Sequence, residues 1–257
     1  MSGKRILFVG IVVVAIIYIC IDTSLAFSHD PGFSIRISRV SNAPRIDGTL
    51  ADAAWKSASR VDLMWAAADK RVTENLRTQA MAVYDQTALF VAFMNTDPDV
   101  SSLLTNVSEH DEGFSGDDCV GIFIEVGDVG QTYIFNIFVN PANTTADMWL
   151  PSKELSEKLR NGEIPRELVP VARAYPKSLD WEPKGLKTAT HIDRNFWTVE
   201  MKIPFDDLLQ SGPPVGKVWG VNFVRHIPGW EDTWTTWNKA GRSFFNPENF
   251  GDLTFSQ

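Results

Sequence analysis

The feature that most narrows the folds open to this chain is its periodicity, which is two residues rather than 3.6. Phe33-Ser34-Ile35-Arg36-Ile37-Ser38 alternates apolar and polar side chains, as a strand with one buried and one wet face must. Similar stretches predict strands over residues 77–84, 89–95, 119–126, 132–140, 186–192, 196–203, 218–226 and 252–255. Turn formers punctuate them in DQTA, GDVGQ, NPANTT and SGPPVG. Many short strands with few helices between them predict an all-β fold. The expected architecture is an antiparallel β-sandwich, immunoglobulin- or jelly-roll-like, with short peripheral helices.

Two helical pieces interrupt the strands. Residues 49–58 offer Thr49 as an N-cap with Asp52 three positions on, close to a capping box. Leu50, Ala54, Trp55 and Ala58 then share one face, which should press Trp55 into the sandwich after the Asp47-Gly48 turn. Residues 152–162 (SKELSEKLRNG) read as a charged surface helix ending at a glycine. No repeat and no Pro/Ser-rich linker divides the chain, so residues 27–257 are expected to form one domain.

The first 26 residues read as a targeting segment. Lys4 and Arg5 precede an apolar run from Ile6 to Ile21, and Ser24-Leu25-Ala26 supplies small residues at cleavage spacing. That run falls short of the ~20 residues a spanning helix needs. A cleaved signal peptide is therefore favoured over an N-terminal anchor, the one route by which the chain would touch a membrane. Export to the periplasm, the cell surface or the medium is expected either way. Removing the segment takes away Lys4, Arg5 and Asp22, leaving 22 basic and 31 acidic residues and a net charge of −9. Such a chain has no basic surface for phosphates, which argues against nucleic acid. It also leaves a single cysteine, Cys119, so no intrachain disulfide forms and stability must come from a core.

Several stretches, in order, resemble the family 9 carbohydrate-binding modules, DOMON-like sandwiches often attached to xylanases. They are IDGTLADAAW (46–55), AVYDQTALFVAF (82–93), DDCVGIFIE (117–125), FWTVEMKIPFDDL (196–208), WGVNFVRH (219–226) and FNPENFGDLTF (245–255). The resemblance implies a β-sandwich that binds a sugar or polysaccharide, with structural calcium in some members. In the xylanase-linked members two tryptophans sandwich the sugar. At the first of those places this chain has Phe114 beside Ser115, and at the second it has Phe244. Gly121 and Val224 stand where family side chains would reach the sugar. Phenylalanine can still stack, so Phe114 and Phe244 are candidates for the aromatic platform.

The stretch PGWEDTWTTWNKAGRSFF (228–245) adds Trp230, Trp234, Trp237 and Phe245, close to Arg225. Aromatic faces for pyranose C–H groups, with polar groups for hydroxyls, are what a sugar site requires. Candidate ligand-binding residues are therefore Phe114, Trp230, Trp234, Phe244, Arg225 and Asp118. For Trp230 and Trp234, ligand contact and packing are equally open. Trp197, Trp219 and Trp237 are expected in the core, while Trp65, Trp149 and Trp181 are left undecided. The acidic stretch 95–118 makes Asp97, Asp99 and Asp117 candidate ligands of a structural Ca2+, although its spacing is not that of an EF-hand and a solvated acidic loop is the simpler reading. His29, His110, His191 and His226 fit no catalytic motif, so a non-catalytic module is expected.

Two other functions remain open. Related sandwiches hold b-type haem for electron transfer, and Met148, Met81 or Met94 with His191 or His226 would be the ligands. The domain could also be a surface protein-interaction sandwich that has lost its sugar site.

Overall fold

The structure is a computed structural model that describes residues 30, 32–66, 70–114, 116–128, 131–151, 157–158, 160–163, 181–229, 234–238, 244 and 246–257. The expected targeting segment lies outside the described residues. Of the expected helix over 152–162, residues 157, 158 and 160 to 162 are described; the first three of these are helical and the last two form a turn. Among the described residues, no helix is long and apolar enough to cross a membrane.

The described strands form two sheets. The larger runs in the order β4 (Lys70–Arg71), β3 (Met64–Trp65), β13 (Trp234–Thr236), β12 (Val218–His226), β7 (Cys119–Asp128), β8 (Gln131–Val139) and β9 (Thr145–Pro151). β14 (Gly251–Ser256) also pairs with β12, and β1 (Ser34–Ser38) pairs with β14. The smaller runs β10 (Lys187–Ile192), β11 (Phe196–Pro204), β6 (Ala88–Thr96), β5 (Thr78–Tyr84) and β2 (Ser59–Asp62). Every pairing is antiparallel except β1 with β14, where the N-terminal strand lies parallel to the C-terminal one. All nine strands expected from alternation are present within a residue or two of their boundaries.

The sequence alternation sets what each face of the larger sheet carries. Along β12, Trp219, Val221 and Phe223 enter the core between the sheets. Val120, Ile122, Ile124 and Val126 do so from β7, and Phe135, Ile137 and Val139 from β8. The alternate positions face away from the smaller sheet, yet Phe123, Ile134, Val224 and Phe250 are buried there too. Strands covered on both faces read as near-continuous apolar runs, which is how β7 and β8 read. Trp197, Trp219 and Trp237 are core as expected, and Trp149 and Trp181 join them.

Trp55 is buried, but not between the sheets. Helix α1 (Ala53–Ser57) lies on the outer face of the smaller sheet, where Ala54, Trp55 and Ala58 pack on Met81, Val83, Phe90 and Ala92. The helix is also shorter than the expected 49–58. Thr49 donates its hydroxyl to Asp47 instead of capping, and Leu50 takes a positive φ of 56° that breaks the turn. What anchors the segment is Glu200 of β11, which is fully buried. Its Oε2 accepts from the backbone N–H groups of Asp47 and Gly48, both at 2.8 Å. Its Oε1 accepts from Leu50 N–H at 3.0 Å and Trp55 Nε1–H at 2.8 Å. Gly48 is required here, because φ is +82° and a Cβ would stand 2.6 Å from the carbonyl carbon of Thr190.

Candidate functional site

Across the middle of the larger sheet, register aligns three rows of outward residues. Asn222, Phe123 and Asn136 form one row, Val224, Gly121 and Phe138 the next, and His226 with Cys119 the third. Trp234 of β13 is paired with His226, and Thr236 with Val224. A Cβ on Gly121 would lie 2.5 Å from Cδ1 of Phe138. The bare glycine therefore lets the Phe138 ring lie down across β7.

These residues form an aromatic cluster. Trp234 stacks on the His226 ring with centroids 4.6 Å apart and planes at 30°. Phe244 is inclined against Trp234 at 5.1 Å and stacks on Phe123 at 6.1 Å. Phe138 meets Trp234 edge-on at 6.2 Å and Phe123 edge-on at 5.6 Å. Phe123 and Phe250 are buried beneath, while Phe138, Trp234 and Phe244 are half-buried and present surface to solvent.

Polar groups sit beside the rings. Thr236 donates to Asn222 Oδ1 at 2.9 Å, and Asn222 Nδ2 has no partner. Neither amide atom of Asn136 has one. Buried amides without partners cost free energy and mark places where water or a ligand is accommodated. His226 Nδ1 lies 2.8 Å from the carbonyl of Asp117, which can only accept, so the proton is assigned to Nδ1. Burial lowers the His226 pKa and keeps the ring neutral at pH 7.

The structure places the sequence-predicted residues unevenly. Trp234 and Phe244 come together on this face. Trp230, like Phe245, lies outside the described residues. Three other expectations are corrected. Phe114 is buried and does not display its ring. Arg225 points into the core, because it sits one position out of step with Val224 and His226. Its Nη1 donates to the carbonyls of Thr96 and Leu76 and to Thr78 Oγ1, its Nη2 pairs with Asp97 at 2.9 Å, and its guanidinium lies 5.7 Å from the Trp197 ring. Asp118 is buried, accepts from Leu104 N–H at 2.9 Å, and has its pKa pushed up by that burial to about 6.

The expected calcium ligands do not fit the ion. Asp97 is committed to Arg225 and to the N–H of Asp99, and Asp99 Oδ1 accepts from the N–H and hydroxyl of Ser101. Asp117 takes the N–H groups of Asn106 and Val107 and the Asn140 amide. Burial would raise the Asp117 carboxyl, but these donors hold it below the ordinary range. Among the described residues, one group of acids and histidines has metal-ligand spacing, and it is His110, Asp111 and Asp147 instead. The residues considered for haem are divided between sheets, with Met148 and His226 on the larger and Met81, Met94 and His191 on the smaller. His191 and Met94 flank Thr198, two strand spacings or roughly 9.6 Å apart. The Thr198 hydroxyl between them is bonded to Gly48.

Phe138, Asn136 and Asn222 were not foreseen as site residues. Their signal was the strand alternation itself, which puts residues 134, 136 and 138 on one face and 222, 224 and 226 beside them.

Residues 46–257 match the family model described as carbohydrate family 9 binding domain-like. Two solved structures of a family 9 carbohydrate-binding module from Caldicellulosiruptor kristjanssonii share the fold. The one in complex with cellotriose has 17% identity and a TM-score of 0.57, covering 87% of this chain and 93% of that one. The one in complex with glucose has 16% identity and a TM-score of 0.56, covering 87% and 95%. A candidate carbohydrate-binding protein from Bacteroides uniformis aligns with a TM-score of 0.62 at 14% identity, covering 87% and 99%. No curated protein sequence matches.

Proposed function

The chain belongs to the carbohydrate family 9 binding domain-like family, and from that membership we propose that it is an exported, non-catalytic module that holds a sugar on the outer face of its larger sheet. The observation that carries this reading is the cluster of half-exposed Phe138, Trp234 and Phe244 beside the unpaired amides of Asn136 and Asn222. Ring faces match the apolar C–H faces of a pyranose, and amides match hydroxyls. The glucose and cellotriose complexes of the Caldicellulosiruptor module support a carbohydrate as the class of ligand. Trp234 is the chosen anchor, because it offers the largest ring and is held from beneath by His226.

The test is retention on a panel of polysaccharides in affinity electrophoresis, with calcium supplied. Binding to at least one glycan is expected. Trp234→Ala should weaken it about tenfold or more, the ~1.4 kcal/mol of one good aromatic contact, and Phe244→Ala should follow. No retention on any glycan would sink the proposal. A second reading, a protein-contact surface, is favoured by one observation. The floor of the site at Gly121 and Val224 offers no polar side chain. That reading gains if no glycan is retained while the fold is intact.

A further inference from the structure

His110, Asp111 and Asp147 meet at the β9 edge of the larger sheet, on the face opposite the aromatic cluster. Their ligand atoms all lie within 4.8 Å of one another. Asp147 is carried by β9 in register with the core residue Ile137, so it points inward. Its side chain is 0% exposed, and neither carboxylate oxygen has a hydrogen-bond partner. A buried carboxylate in that condition either holds a proton, and burial pushes Asp147 up to about 7, or is neutralised by a cation beside it.

The neighbours are oriented towards it. Asp111 Oδ1 accepts from the Asp147 N–H at 3.0 Å, and the Asp111 N–H donates to the Thr145 carbonyl at 3.1 Å. That arrangement leaves Asp111 Oδ2 facing His110. The Nδ1 of His110 lies 3.0 Å from both the Thr145 hydroxyl and the Thr145 carbonyl; the carbonyl only accepts, so the proton is assigned to Nδ1 and Nε2 presents a lone pair. That lone pair faces Asp111 Oδ2 at 3.5 Å, Asp147 Oδ2 at 3.7 Å and Glu182 Oε2 at 3.6 Å. The separations are too long for direct hydrogen bonds. They approach the roughly 3.3 Å edge of a tetrahedron of ligands ~2.0 Å from a zinc-sized ion. An imidazole anchored through its other nitrogen to a carbonyl is the usual outer-shell support of a metal-bound histidine.

The geometry points to a binding site for a divalent first-row transition ion, held by His110 Nε2, Asp111 Oδ2 and Asp147 Oδ2, with exposed Glu182, which lies outside that 4.8 Å group, swinging in to close the fourth position. An imidazole ligand favours such an ion over calcium, which takes oxygen donors. The ion would tie the loop carrying His110 to β9 and to the segment at Glu182.

The untagged full chain, stripped with chelator and dialysed, is titrated with ZnCl2 in competition with a chromophoric chelator, and in parallel with CaCl2. One zinc per chain is expected, bound at least ~100-fold more tightly than calcium, with a rise in Tm. His110→Gln, at a half-exposed position that tolerates substitution, and Asp147→Asn should each weaken zinc by ~100-fold and abolish the rise in Tm. Glycan retention should be the same in His110→Gln as in the parent chain, which separates this site from the sugar reading. Zinc uptake equal in the parent and His110→Gln, no zinc uptake at all, or calcium binding tighter than zinc and indifferent to His110→Gln would each overturn the proposal.

Discussion

Replacing Glu200 by alanine removes the acceptor on which the Asp47-Gly48 turn and helix α1 are hung. Four donors lose their partner, and two of them, Gly48 N–H and Trp55 Nε1–H, are in fully buried bonds. The other two, from Asp47 and Leu50, are partly buried and can turn to water. A buried donor left unsatisfied costs about 1–3 kcal/mol, and a charged acceptor puts each bond towards the upper end. Two such donors give roughly 2–6 kcal/mol. Water entering the space left by the carboxylate offsets part of this, so about 3–4 kcal/mol is expected. That is a large share of the ~5–15 kcal/mol typical of a whole domain. In urea, at a slope of about 2 kcal/mol per molar, the unfolding midpoint should fall by about 1.5–2 M. Glu200→Gln should lie between, because its amide keeps one oxygen for one pair of donors but turns an NH2 group on the other pair. Glycan retention by the folded fraction should not change. A loss below about 1 kcal/mol at an unchanged slope would refute the account of Trp55 as a residue held for the fold.

Arg225→Met leaves the Asp97 carboxylate in the interior without its guanidinium, and breaking such a pair costs about 3–5 kcal/mol. Denaturant unfolding should show that loss while the folded fraction still binds glycan as the parent does; a selective loss of binding would return Arg225 to the site. Burial raises the Asp118 pKa from 3.8 to about 6, so the folded chain binds its proton more tightly than the unfolded one. Stability from this group is full below about pH 4 and is lost as pH rises through about 6, by up to about 3 kcal/mol at 1.36 kcal/mol per unit. Asp118→Asn should flatten that part of the Tm–pH curve and exceed the parent in Tm at pH 7. Parallel curves for the two proteins would contradict the assignment.

The strands of 77–84, 119–126 and 218–226 were legible because alternation and turn residues are local properties, and burial on one face demands them wherever the strand ends up. The missed strands had no such record. β13 is three residues long inside an aromatic loop, and β3 and β4 are two residues each. β9 (TADMWLP) alternates only with Asp147 counted among the inward residues, and an acid is the last residue type a pattern reading puts there.

The same limit separates what was read of the site from what was not. The sequence by itself determined the two-sheet architecture, the family likeness, the structural character of Trp55 and the aromatic wealth of the stretch near Trp234. Each follows from residue type and short-range spacing. It did not determine direction. Arg225 and Val224 are neighbours, yet one enters the core against Asp97 and the other faces the rings, and the pleat of β12 decides which. Glu200 reaches Trp55 across 145 residues, and Asp147 joins His110 only because β9 and the loop before β7 pack side by side. Partners so far apart in the chain leave no periodic trace, and only the tertiary structure could bring them together.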